Sequence, residues 1–169
     1  MSYKVDPQAV DKMEEECGVF GIYAPGHEVA NRTVFALQAL QHRGQEAAGI
    51  AVGDNSTITV EKDLGLVTQV FDNNSISVLE GDLAIGHVRY STSGSKAAWE
   101  ATQPHISAIG EVLIALVHNG TLINTEKIRN NMVHQGVQML STTDSEVASK
   151  LIALETVKTN HLRDGIAAT

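Results

Sequence analysis

The chain is 169 residues long, 43% hydrophobic and 19% charged, a composition that folds around one core instead of staying disordered. Twelve Lys and Arg against 20 Asp and Glu leave a net charge of −8, which argues against nucleic acid as a partner, because neutralising phosphates needs clustered cations. No apolar run reaches the roughly 18 residues of a membrane span, the polar N-terminus is no secretory signal, and one Cys supports neither a disulfide nor a Cys-based metal site, so a cytoplasmic protein is expected.

In chain order, residues 1–16 form a polar lead without apolar periodicity. Cys17-Gly18-Val19-Phe20-Gly21-Ile22-Tyr23 then reads as a buried strand ending at a Pro25-Gly26 turn. Ala30, Val34, Leu37 and Leu40 recur at helical spacing, which predicts a helix from Val29 to Gln41 stopped by Gly44. Gly49–Val52 and Thr57–Glu61 read as strands joined by the turn Gly53-Asp54-Asn55-Ser56. Leu83–Tyr90 reads as another strand and Glu111–His118 as a strongly apolar one. Asn124 is placed to cap a helix running to His134 and closed by Gly136. Thr143-Asp144-Ser145-Glu146 has the form of a capping box, opening a helix that turns Val147, Leu151 and Leu154 inward. A last helix from near His161 is expected to be still running at Thr169, inside an apolar stretch, which suggests a fragment. Strand, helix, several strands, helix, helix predicts an α+β fold with helices on a largely antiparallel sheet.

Glycine and hydrogen-bonding side chains meet at Gln41-His42-Arg43-Gly44-Gln45, at Gly86-His87-Val88-Arg89-Tyr90-Ser91-Thr92 and at His118-Asn119-Gly120. Taken singly, the first is what a helix C-terminus looks like, and Asn-Gly is a common tight turn. A lone Cys in an apolar setting is usually inert packing. Cys17, however, follows a polar segment whose removal would make it the first residue, with an α-amine of pKa about 8 beside the thiol to act as an internal base. The seven His, at positions 27, 42, 87, 105, 118, 134 and 161, show no i, i+4 pair of a helical zinc motif. His87 and His118 could face each other from adjacent strands, with satisfied packing the plainer reading.

In order along the chain, Cys17-Gly18-Val19-Phe20-Gly21-Ile22, Leu40-Gln41-His42-Arg43-Gly44-Gln45-Glu46-Ala47-Ala48-Gly49-Ile50, Gly86-His87-Val88-Arg89-Tyr90-Ser91-Thr92, Gln103-Pro104, His118-Asn119-Gly120 and Thr143-Asp144-Ser145-Glu146 resemble the class II glutamine amidotransferases. Gln41-His42-Arg43-Gly44-Gln45 is similar to the branch that aminates phosphoribosyl pyrophosphate in purine synthesis. Glucosamine-6-phosphate synthase, the alternative within the class, has Tyr-Arg-Gly-Tyr-Asp there. His105 departs from the pattern, since an aromatic or aliphatic residue is commoner after Gln-Pro.

The resemblance implies an N-terminal nucleophile hydrolase: an αββα sandwich of two facing antiparallel sheets between helices, here incomplete at the C-terminus. It implies a propeptide at 1–16 and a glutaminase domain at 17–169, with Cys17 the nucleophile and Asn119 and Gly120 the oxyanion donors. Arg89 would take the α-carboxylate of glutamine and Asp144 its α-ammonium, with Arg43 and Thr92 completing the pocket. Asp144 in a helix first turn is also stabilising without any ligand. Phosphoribosyl pyrophosphate, Mg²⁺ and, in some members, a 4Fe–4S cluster belong to a further domain, so no cofactor is expected in this segment. The parent would be a homo-oligomer, with no nucleic acid or membrane partner. The 169-residue chain is expected to be inactive by itself, and an unprocessed glutamine-binding module without turnover is the remaining alternative.

Overall fold

A computed structural model describes residues 17–54, 56–90 and 99–169. The 1–16 segment and Thr92 therefore lie outside the described residues. Two antiparallel sheets form, as the resemblance implies. The first contains β1 (Gly18–Tyr23), β2 (Ala47–Gly53), β3 (Ile58–Leu64) and β4 (Leu83–Arg89) in the order β1-β4-β2-β3. The second pairs β5 (His105–Ile109) with β6 (Val112–Leu116) across Gly110-Glu111.

Alternation along the strands decides what each face meets. Ala48, Ile50, Val52, Ala84 and Val88 point to one face and share a core with Val29, Ala30, Val34 and Leu37 of α1 (Val29–Ala39). That helix ends sooner than its apolar spacing predicts. Leu40 is only partly buried, and Gln41–Arg43 tightens into a single 3₁₀ turn before the extended Gly44. Beyond β3, the short helices α2 (Val67–Val70) and α3 (Asn73–Ser77) were not predicted. Each is too short for a 3.6-residue period to show. In α3 the cap is local: Asp72 Oδ1 accepts from Ser75 N at 2.7 Å while Ser75 Oγ accepts from Asp72 N at 2.9 Å.

The opposite face of the first sheet meets the second sheet. At Gly49 a Cβ would overlap the Gln103 carbonyl oxygen and lie 2.9 Å from Pro104 Cδ and 2.8 Å from Lys62 Cβ. Glycine there lets the backbone of residues 103–104 rest on β2. Lys62 holds the same segment, its Nζ donating to Thr102 O at 2.5 Å and Pro104 O at 3.1 Å, with its ammonium 5.0 Å from the Trp99 ring centroid.

Strand β5 was also unpredicted, because its buried face is polar: His105 and Ser107 point inward while Ile106 is exposed. Their partners sit on α5 (Asp144–Thr159), which covers the second sheet, and on its cap residue Thr143. Ser107 Oγ meets Ser149 Oγ at 2.8 Å, and Val147 and Ala153 are fully buried, whereas Leu151 and Leu154 are only half-buried. The inward stripe of α5 is thus smaller and more polar than the Val147-Leu151-Leu154 pattern predicts. At its start Thr143 Oγ1 accepts from Glu146 N at 3.2 Å, but the Glu146 carboxylate bonds Leu140 N and Ser141 N instead of closing the predicted box.

Helix α4 (Thr125–His134) follows Asn124, whose side chain makes no cap bond. Thr125 Oγ1 instead donates to Leu122 O at 2.7 Å. Helix α6 (Leu162–Ala167) closes before Thr169, where a helix still running was predicted. The layers are α1, four-stranded sheet, two-stranded sheet, α5: an α+β sandwich with antiparallel sheets.

Gly49→Ala should destabilise the chain by about 1–3 kcal/mol, because neither flanking segment can retreat without breaking a sheet contact. Urea unfolding checks this, and an unchanged midpoint would show that residues 103–104 do not rest on β2 at Gly49.

Candidate active site

Cys17 stands at the lip of β1, one residue before its first β4 pair, Gly18 with Val88. Continuing that register sets Cys17 opposite Arg89, and alternation puts Cys17, Arg89 and His87 on the face turned toward the second sheet. The thiol is tied to the end of β4. Tyr90 N donates to Sγ at 3.3 Å, and Sγ donates to Tyr90 O at 3.6 Å.

The loop after β6 and the 3₁₀ turn after α1 both reach this point. The Asn119 amide Nδ2 donates to Cys17 O at 2.8 Å, and Arg43 Nε donates to the same oxygen at 3.4 Å. The loop carrying Asn119 is itself fixed by Gln103. Gln103 Oε1 accepts from His118 N at 2.6 Å, and Nε2 donates to His118 O at 3.0 Å and to Ser145 Oγ at 3.2 Å. Gly120 has φ +153, and a Cβ on it would stand 3.0 Å from His118 Nε2, so the turn requires glycine. Asp144 joins the loop to α5, with Oδ2 accepting from Leu122 N at 2.8 Å and Oδ1 from Ser145 Oγ at 3.3 Å.

A cavity of ≈ 160 Å³ lies between these groups, lined among others by Cys17, Arg89, Asn119, Gly120 and Asp144. Of the seven residues the sequence nominates, these five come together. Arg43 meets the same site from behind, at the Cys17 carbonyl, and Thr92 lies outside the described residues. The cavity lining adds His87, Gln103, His118 and Ser145, which sequence reasoning gave no role. His87, Gln103, His118 and Ser145 all sit inside the quoted motifs, so the signal was present, but their function is to hold or line, and a motif does not say so.

His87 was expected to be a satisfied packing residue. It is 1% exposed, yet neither ring nitrogen has a hydrogen-bond partner among the described residues. Burial, then the nearby Arg89, His105 and His118, pull its pKa down to about 4. His105, the departure from the family pattern, is accommodated by Thr143 Oγ1 at 3.0 Å from Nε2, and burial and Lys62 likewise pull it to about 4. Burial pushes the Glu146 carboxyl up, but bonds from Leu140 N, Ser141 N and Ser141 Oγ outweigh it and leave it below its ordinary value. Among the described residues no three His, Cys, Asp or Glu side chains are grouped to hold a metal ion, and no helix is long and apolar enough to cross a membrane. A separate cavity of ≈ 390 Å³, lined by Lys62, Trp99, His105 and Glu146 among others, shares no residue with the Cys17 cavity.

Residues 21–107 match the family of class II glutamine amidotransferases, and residues 68–168 match a glutamine amidotransferase domain. The chain is 49% identical over 137 residues to the amidophosphoribosyltransferase of Synechococcus elongatus, covering 81% of this chain and 28% of that one. It is 50% identical over 145 residues to the enzyme of the same name from Mycobacterium leprae, covering 82% and 26%. Among solved structures, the glutamine phosphoribosylpyrophosphate amidotransferase from B. subtilis complexed with ADP and GMP superposes with a TM-score of 0.75 at 37% identity, over 89% of this chain and 31% of that one. A structure titled as the allosteric regulatory enzyme of purine biosynthesis does so with a TM-score of 0.76 at 38% identity, over 89% and 32%. The chain thus spans a third or less of the length of these relatives.

The two buried imidazoles make stability depend on pH. Released by unfolding, they take up protons below their ordinary 6.5, while the folded chain protonates them only near 4. Lowering the pH from 6.5 toward 4 therefore favours the unfolded state, and the urea midpoint should fall across that window. His105→Gln should make the fall shallower, and a midpoint flat between these values would contradict the burial of both rings as neutral species.

Proposed function

Because this chain belongs to the class II glutamine amidotransferase family, we propose that it is the glutamine-hydrolysing part of an amidophosphoribosyltransferase, with Cys17 the nucleophile once residues 1–16 are removed. The observation that carries this reading is the convergence of Cys17, Arg89, Asn119, Gly120 and Asp144, from four separate segments, on one small cavity.

The chemistry follows from what each group can donate or accept. The Cys17 sulfur attacks the carboxamide carbon of glutamine, its proton passing to the α-amine of the same residue. As the carbonyl opens, charge gathers on its oxygen. The Asn119 amide carries two N–H donors, and the Cys17 carbonyl engages one. The other, with the Gly120 N–H, is left for the oxyanion, and the bond to Cys17 keeps the donor beside the nucleophile without reorganisation. The α-amine then gives its proton to the departing nitrogen, ammonia leaves, and the γ-glutamyl thioester is hydrolysed to glutamate. Arg89 presents a planar fork suited to the α-carboxylate, and one of its terminal nitrogens is buried with no partner among the described residues. Asp144 takes the α-ammonium, with Thr92 completing the pocket. Arg43 contributes to the same pocket through its hold on the Cys17 carbonyl.

On this reading the ammonia passes to a separate phosphoribosyltransferase domain that converts phosphoribosyl pyrophosphate to 5-phosphoribosylamine with Mg²⁺, inside a cytoplasmic homo-oligomer. A 4Fe–4S cluster, where the protein carries one, does not fit residues 1–169, which contain one Cys.

Residues 1–16 act as a propeptide in this account. While they are attached, the Cys17 nitrogen is an amide, whose lone pair is delocalised into the carbonyl and does not accept a proton. Full-length protein that keeps residues 1–16 should release no ammonia from glutamine, and the same protein beginning at Cys17 should do so. The assay is ammonia release with intact mass on the same sample. Turnover by protein whose mass still includes the lead would overturn the α-amine mechanism.

A further inference from the structure

His87 is a buried polar side chain that the chemistry above leaves unused. It lines the Cys17 cavity, is 1% exposed, and has both ring nitrogens without a partner among the described residues. Its place is set by two registers. It pairs with Val19 of β1 and with Gly49 of β2, so the ring stands on the same face as Cys17 and Arg89, beside a residue without a side chain. Burial keeps the ring neutral near pH 7, so it offers one donor and one acceptor.

A buried imidazole that lines a substrate cavity and has no partner among the described residues implies a partner that arrives with the reaction. On the glutaminase reading, on which this inference rests, the α-carboxylate, α-ammonium and carboxamide oxygen of glutamine each have a protein group. The position of the carboxamide nitrogen has none except the α-amine of Cys17. By microscopic reversibility, the water that hydrolyses the thioester enters where the ammonia left.

We propose that His87 hydrogen-bonds that water and aims it at the γ-glutamyl thioester of Cys17. The water oxygen forms the new C–O bond, one of its protons passes to the α-amine, the C–S bond breaks, and the Cys17 thiolate recovers that proton. His87 neither gains nor loses a proton overall. It touches the reacting water and so is a catalytic residue for deacylation, with no part in thioester formation.

The test uses full-length protein beginning at Cys17 and carrying His87→Phe or His87→Asn. Losing an aimed water should slow deacylation about 10²-fold. His87→Phe should then lower kcat and KM for glutamine together, leaving kcat/KM nearly unchanged. A γ-glutamyl adduct on Cys17 should accumulate in acid-quenched intact mass, and hydroxylamine, a stronger nucleophile than water, should restore turnover. His87→Asn, which keeps a hydrogen-bonding group, should recover part of the loss. A folded His87→Phe protein with unchanged kcat, or one with lowered kcat/KM and no adduct, would overturn the proposal. Failure of both variants to fold would assign the ring to packing and overturn it as well. If unsubstituted protein neither hydrolyses glutamine nor forms an adduct on Cys17, the glutaminase reading itself fails, an outcome separate from any behaviour of the His87 variants.

Discussion

The antiparallel register of β1 on β4 is the constraint on which the site depends. Gly18 opposite Val88 puts the residue before the strand across from Arg89, and strand alternation turns Cys17, His87 and Arg89 to the same side. A slip of one residue would send the thiol toward the α1 core and remove it from the cavity. The register is well protected against such a slip, because the other face of β4 is committed to apolar packing through Ala84 and Val88. Packing on one face of the sheet thus fixes chemistry on the other.

The second sheet brings the remaining groups by polar contacts, not by apolar burial. Gln103 grips His118 at both backbone N and O, which sets Asn119 and Gly120, and Ser145 and Asp144 connect that loop to the start of α5. Arg129 adds a further brace, its two terminal nitrogens donating to Ser141 O at 2.8 Å and Thr143 O at 2.9 Å. Each member holds another, so small errors in one would propagate to Asn119 and Gly120. The exceptions lining this cavity are the His87 ring and one terminal nitrogen of Arg89, which have no partner among the described residues. Leaving a buried polar group unpaired costs about 1–3 kcal/mol, a cost that the rest of the sheet must offset and that makes sense at a place where a ligand supplies the missing bond.

Much of this was legible in the sequence, and the rest was not for physical reasons. Strands β1, β2, β3 and β4 and helix α1 show themselves because their buried faces are apolar at the right period. Strand β5 is hidden because His105 and Ser107 point inward, and the inward stripe of α5 was misjudged because Ser145, Glu146 and Ser149 are buried on it beside Val147. Polar groups satisfied across elements carry no periodic signal, since their partners lie about 40 residues away, as Ser107 and Ser149 do. In the site, Cys17, Arg89, Asn119 and Asp144 were named from ordered motifs. His87 was read as satisfied packing, because whether a histidine has partners is a property of three-dimensional surroundings.

The central claim is that the Cys17 cavity is the glutamine site. A crystal structure of the protein beginning at residue 17, with Cys17→Ser to halt turnover and glutamine bound, tests it most directly. The account predicts the α-carboxylate on Arg89, the α-ammonium on Asp144, and the carboxamide oxygen between Asn119 Nδ2 and Gly120 N. Glutamine seated instead in the separate cavity beside Lys62 and Trp99, with the Cys17 cavity filled only by water, would contradict it.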